Sequence, residues 1–191
     1  MSQGGLPLPV VDGRVLPDDI RALLRPGETV TCADGAARAL PRYFYRVDSW
    51  AQALEMRLTA NFSLWEFIDV DLYEPDLLRQ YPRYVPCAVA LLAAHLELLR
   101  HDVSTTVHIA ANGGYRSRAH RRSAAGSPHA WGTAANVYRI GGDYLDTRDR
   151  IERINATALR ILPAAFTRPY GPRAGEVDDH VHLDLGYIVS A

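Results

Sequence analysis

No run of apolar residues in this chain approaches the ~20 needed to cross a bilayer, which excludes a transmembrane helix. The first residues, Met1-Ser-Gln-Gly-Gly-Leu-Pro7, have neither a basic start nor a continuous apolar stretch, so no export signal is read and a cytoplasmic protein is expected. Cysteine is scarce. Cys32 and Cys87 stand outside any C-x-x-C and away from any histidine pair, so two buried thiols are expected in place of a disulfide or a thiolate metal site. Excess charge is missing too: the net value is -1, with acids and bases interspersed. That argues against nucleic acid or a membrane surface as the main partner, and the four arginines between Arg116 and Arg122 form too short a cluster to change it. Repeats and low-complexity tracts are absent.

With 191 residues, 48% of them hydrophobic, the chain can build one domain with a real core and not two ordinary ones. Residues 1–60 read as an irregular extension packed on that core, with loops, a short helix from Asp18 to Leu24, and strands at runs such as Val10-Val11 and Thr29-Val-Thr31. A second short helix is expected from Asp48 to Leu58. Ser63-Leu-Trp-Glu66 spells a capping box, and Phe62 and Phe67 are placed to staple the helix that starts there. Val89, Leu92, Ala93, Leu96 and Leu99 recur at helical spacing, so the main core helix is read from Pro86 to Arg100. A further core helix spans Asp146 to Ile161. Strands are expected at Thr105–Ala110, Thr133–Ile140 and His180–Leu185, the last with Val181, Leu183 and Leu185 on one face and His180, His182 and Asp184 on the other.

The chemistry concentrates in two segments, Ser127-Pro-His129-Ala-Trp131-Gly132-Thr-Ala134-Ala-Asn136 and Asp179-His180-Val-His182-Leu-Asp184. The first resembles the S-x-H-x-x-G-x-A-x-D signature of the zinc D-Ala-D-Ala carboxypeptidase and L-alanyl-D-glutamate peptidase family, and the second resembles its closing D-x-x-H. Gly114-Tyr115-Arg116-Ser117 is similar to that family's G-Y-R-S, and Asn61-Phe-Ser-Leu-Trp-Glu-Phe67 to its N-F-x-L-x-E-F. The likeness runs from Asn61 to Leu185 in the family's order. It implies an α+β Hedgehog/DD-peptidase-like fold, an antiparallel sheet flanked by helices, with residues 61–191 as the metal-binding domain.

The resemblance implies one zinc ion held by His129, position 136 and His182, with Asp179 as catalytic acid and base. It further makes Arg116 a clamp for the substrate's carboxylate and the transition state, with Ser127 and Tyr115 at the substrate. A catalytic zinc site needs three protein ligands and a fourth position left open, which this arrangement satisfies. Gly132 lets the chain turn between the first two ligands. The planar fork of arginine suits a bidentate clamp. Where the family has aspartate, this chain has Asn136, whose amide can ligate only through a neutral oxygen. Glu176, Asp178 and Asp184 lie close in sequence as sources of the missing charge, with anchoring of a neighbouring loop the preferred reading for Asp184. His180 shares the face of His182, which leaves two readings, a substrate contact or a donor to a carboxylate. Trp50, Trp65 and Trp131 are read as core by default, and the place of Trp131 between two site residues adds a second reading, a wall of the substrate pocket. His95, His101, His108 and His120 have no such context.

The expected function is a zinc-dependent peptidase or amidase acting on a small peptide or peptidoglycan-like substrate, a class that includes peptides with D-amino acids. Two alternatives stay open: a peptide- or cell-wall-fragment-binding module that lost hydrolysis through Asn136, and a metal enzyme of a specialised biosynthetic pathway.

Overall fold

A computed structural model describes residues 7–187. The reading of the chain's start falls mainly on Met1–Leu6, outside the described residues. The fold is α+β, and every pairing between its named strands is antiparallel. Its strands are β1 (Val10–Asp12), β2 (Thr29–Thr31), β3 (Ala37–Ala39), β4 (Tyr43–Val47), β5 (Arg83–Pro86), β6 (Val107–Ile109), β7 (Ala134–Ile140), β8 (Asp143–Tyr144), β9 (Phe166–Thr167) and β10 (Val181–Asp184). Its helices are α1 (Asp18–Leu24), α2 (Trp50–Glu55), α3 (Trp65–Ile68), α4 (Asp76–Arg79), α5 (Val89–Val103) and α6 (Arg148–Ile161). No described helix is long and apolar enough to cross a membrane.

The sheet that positions the site runs β6-β7-β10-β9, with β8 hairpinned onto β7. Period-2 alternation gives it two unlike faces. Val181 and Leu183 of β10, opposite Val137 and Ala135 of β7, join the core that α5 and α6 cover, whereas Asn136, His182 and Asp184 face the other way. The helices bury the stripe read from the sequence: Val89, Leu92, Ala93, Leu96 and Leu99 on α5, and Ile151, Ile154 and Ala158 on α6. Leaving either stripe in water would forgo about 1.5–3 kcal/mol per large side chain.

The expected elements differ from the observed ones in ways that have physical causes. Pro86 ends a strand rather than opening α5, which starts at Val89, because Arg83–Pro86 pairs with Val47–Phe44 of β4. The N-terminal region is more regular than expected, since β1, β4 and β5 form a sheet and β2 and β3 a hairpin. That sheet crosses residue 60, so the extension and the rest share strands. The capping-box helix is a single turn; the Ser63 N–H donates to the Glu66 carboxylate at 2.8 Å, and Phe62 and Phe67 meet edge to face at 6.0 Å. Helix α2 is shorter than Asp48–Leu58, β6 and β10 are trimmed at both ends, and β7 lacks only Thr133. Cys32 is buried and Cys87 half-buried, both as free thiols.

Candidate metal centre

Two hydrogen-bonded loops and one strand pair bring the signature segments together. Residues 128–131 form a 3-10 turn that Gly132 ends in the left-handed region (φ 70°), and the chain then enters β7. The turn carries His129. Its Nδ1–H donates to the Gly114 carbonyl at 2.7 Å, and the Arg116 N–H returns a bond to the His129 carbonyl at 3.3 Å. Gly114 has to be glycine, because a Cβ there would sit 2.4 Å from the Phe67 carbonyl oxygen. The Asn136 backbone closes the loop by accepting from Ala110 N–H and donating to Gly113 O, where β6 and β7 shift register.

Across the sheet, His182 is the register partner of Asn136. The Asn136 side-chain oxygen lies 2.9 Å from His182 Nδ1, while His182 Nε2 donates to Asp184 Oδ2 at 3.1 Å. Asp184 also accepts from Gly186 N–H at 2.9 Å, so it both orients the histidine and anchors the following loop. The His129 and His182 rings lie 5.2 Å apart between centroids.

Electrostatics keeps both rings neutral. Burial, then the positive charge of Arg116 and the neighbouring His182, pushes His129 well below the ordinary histidine range. Burial also lowers His182; the Asp184 bond opposes that shift, and the charge of Arg168 reinforces it. A neutral imidazole has one N–H. With His129 Nδ1–H spent on Gly114, its Nε2 is a bare lone pair. With His182 Nε2–H spent on Asp184, its Nδ1 is likewise bare, yet it faces the Asn136 oxygen. Two acceptors in contact repel, and either a cation between them or an amide turned to present its NH2 relieves the conflict.

The donor set therefore fits zinc in kind: two imidazole nitrogens and an amide oxygen, with a carboxylate behind one histidine as metal-ligating imidazoles usually have. With Zn–N near 2.0–2.1 Å and tetrahedral angles, two imidazoles on one ion have ring centres ~5 Å apart, in line with the observed spacing. Ligand atoms in that geometry stand ~3.4 Å apart, so the His182–Asn136 contact must widen slightly to admit a metal. Among the described residues no group of three or more His, Cys, Asp or Glu side chains gathers around a metal position.

The other expected site residues are distributed unevenly. Arg116 and Ser127 line a cleft of about 400 Å³, together with Arg122, Arg168 and Tyr187. Arg116 Nε is buried without a hydrogen-bond partner, and burial, then the charge of Arg168, lowers its pKa. Asp179 is exposed at the bend before β10 and is hydrogen-bonded to Nδ1 of half-buried His180, so the donor reading of His180 has a partner. Tyr115 is buried in the core and borders a cavity of only about 20 Å³ beside Glu74, not the cleft. Trp131 is fully buried. Its indole N–H donates to Ala39 O at 2.8 Å and its ring meets Tyr187 at 4.9 Å, so it pins the β2–β3 hairpin under the 3-10 turn and reaches the cleft only through Tyr187. Glu176 caps its own turn at Arg173 N–H, and Asp178 is exposed.

Sequence reasoning missed Arg168, which follows β9 and acts electrostatically on Arg116, His129 and His182. It also missed the bracing of the arginine loop. Glu74 accepts from Ser117 N–H at 3.0 Å, and Asp71, buried His120 and Ser123 form a relay with bonds of 3.0 and 3.2 Å. Only the carboxylates' position ahead of the G-Y-R-S segment hinted at this. Neither the protein-family models, the curated proteins nor the solved structures yield a match to the chain.

Proposed function

We propose that this chain is a zinc-dependent peptidase or amidase of the DD-peptidase type, acting on a small peptide. The observation that carries the reading is the meeting of His129, Asn136 and His182 from two distant segments, with both imidazoles neutral and their bare nitrogens left for a cation. His129, Asn136 and His182 hold the metal, and Asp184 orients His182. When bound, zinc supplies Lewis acidity, polarising a carbonyl and acidifying a water. Arg116 fixes the anionic part of the substrate from its buried position, and Ser127 donates to the substrate backbone. Asp179 takes the proton of the attacking water and passes it to the leaving amine. The fold in this reading is the Hedgehog/DD-peptidase fold, and the substrate is peptidoglycan-like or biosynthetic.

A specific contact supports a second reading, that of a metal-free peptide-binding module. Asn136, unlike aspartate, can turn its NH2 onto His182 Nδ1 and satisfy the site without an ion. Metal analysis of protein purified without added zinc separates the two. About one equivalent of zinc, with zinc-dependent cleavage of a member of a panel of L,L-, L,D- and D,D-peptides, supports the hydrolase. No metal, and no cleavage even in Asn136→Asp, sinks it.

A further inference from the structure

The cleft lined by Arg116 and Ser127 has more positive charge than one carboxylate can match. Among the described residues Arg116, Arg122 and Arg168 line it, against a single acid, Asp34. Asp34 is already committed to Arg38 through bonds of 2.8 and 2.6 Å. Arg122 is exposed and lies over the Tyr73 ring at 3.7 Å, where water and the aromatic face hold it. Arg116 and Arg168 differ from it. Both are half-buried, and neither forms an ion pair among the described residues. Arg116 also leaves its Nε buried and unbonded.

Two half-buried guanidinium groups that line one cleft without an ion pair cost free energy unless an anion lies between them. A single carboxylate neutralises one. Ser127, also on the cleft wall, adds a hydroxyl that makes no side-chain hydrogen bond at its own turn.

We propose that Arg168 is a specificity residue that, with Arg116, selects ligands bearing a doubly charged oxyanion group, either two neighbouring carboxylates or one phosphoryl group. Planar forks pair bidentately with both chemistries. The inference deepens the hydrolase reading by assigning the charge of its substrate, and it rests on that reading only for what happens to the ligand after it binds.

Binding is measured without turnover, so failure here is distinguishable from failure of the hydrolase reading. Protein freed of metal by dialysis is titrated by NMR at pH 8 and constant ionic strength with acetate, succinate and inorganic phosphate. The expected result is roughly tenfold or more tighter binding of succinate or of phosphate than of acetate. A preference for succinate over phosphate identifies a dicarboxylate ligand, and the reverse a phosphoryl ligand. Arg168→Gln, shown by circular dichroism to be folded, collapses the dianion preference. Arg168→Lys, which keeps the charge, retains part of it. Equal binding of all three anions, no binding of any, or a preference unchanged in Arg168→Gln overturns the proposal.

Discussion

His182 and Asn136 face each other as register partners on β10 and β7, with Nδ1 2.9 Å from the amide oxygen. The contact joins two lone pairs once the histidine has given its single N–H to Asp184. Placing a carboxylate at position 136 changes the balance in two ways: it adds a charge to the donor set, and it removes the NH2 that can satisfy the histidine without metal. Asn136→Asp is therefore expected to tighten zinc binding by roughly tenfold or more, about 1.4 kcal/mol. Competition titration against a chelator reads this directly. Unchanged or weaker affinity in a folded variant would remove position 136 from the ligand set.

Asp184 acts one step behind. Its Oδ2 accepts from His182 and its Oδ1 from the Gly186 N–H. Asp184→Asn can keep the Gly186 bond through its remaining oxygen, but it no longer stabilises the imidazole as a strong donor to a cation. Outer partners of this kind are worth about 10–100-fold in metal affinity. A loss of that size with little change in Tm is expected; unaltered zinc affinity would mean that Asp184 serves the loop alone.

The site face of β10 was legible because strand periodicity is strict: once Val181 and Leu183 are assigned to the core, His182 and Asp184 must turn away from it. The G-Y-R-S loop was legible as a motif, though not its supports. Glu74 and Asp71 reach it from 43 and 49 residues away, and such contacts leave no local pattern. Arg168 was hidden for the same reason, since it is one of 21 basic residues and its place depends on a two-residue strand, β9, pairing with β10. Trp131 is core, its default reading, and only the pocket-wall alternative rested on position. Its neighbours in sequence are site residues, but its indole is spent 92 residues away on Ala39. Pro86 misled by type, because proline suits both the first turn of a helix and the end of an edge strand.

Glu97 of α5 offers a pH test away from the site. Its carboxylate accepts from Thr59 Oγ1 at 2.6 Å, Asn61 N at 2.7 Å, Asn61 Nδ2 and Arg100 Nε at 2.7 Å, which fixes the start of the N-F-x-L segment onto the helix. Burial pushes its pKa up, but these bonds outweigh it and hold the group at about 2, below its ordinary 4.5. A depressed carboxylate contributes stability that is complete above the unfolded value and lost as pH falls through the folded one. Glu97→Gln should cost about 1–3 kcal/mol at pH 7, and the gap to wild type should close between about pH 4.5 and pH 2. Thermal melts across that range check it. A gap independent of pH would assign the loss to packing and not to charge.

Gly114 tests the loop that holds both His129 and Arg116. Gly114→Ala forces a methyl to 2.4 Å from the Phe67 carbonyl oxygen, and backbone cannot yield as a flexible side chain would. Overpacking of this kind costs about 1–3 kcal/mol, and the displaced loop loses the carbonyl that fixes the His129 tautomer. Lower Tm and weaker zinc binding should appear together. A variant that loses stability yet binds zinc as wild type does would show that Gly114 O is dispensable for orienting His129.

In the proposed hydrolase, turnover rests on Asp179. Its side chain is 78% exposed and bonded to His180 Nδ1, one residue before the strand that presents His182. Exposure leaves the carboxylate free to exchange protons with solvent between turnovers, and the His180 bond restricts where it points. A base so placed typically contributes ~10²–10⁴ in rate, while it makes no contact with His129, Asn136 or the Nδ1 of His182 that zinc binding needs. Asp179→Ala should therefore lose ~10²–10⁴ in kcat with its zinc content unchanged, and His180→Ala should lose less, since it only frees the carboxylate to wander. Stopped assays on a cleaved peptide, paired with metal analysis of each variant, measure both quantities on one preparation. If Asp179→Ala keeps its zinc and stays within about tenfold of wild type, proton transfer belongs to another group, and His180 is the next to replace.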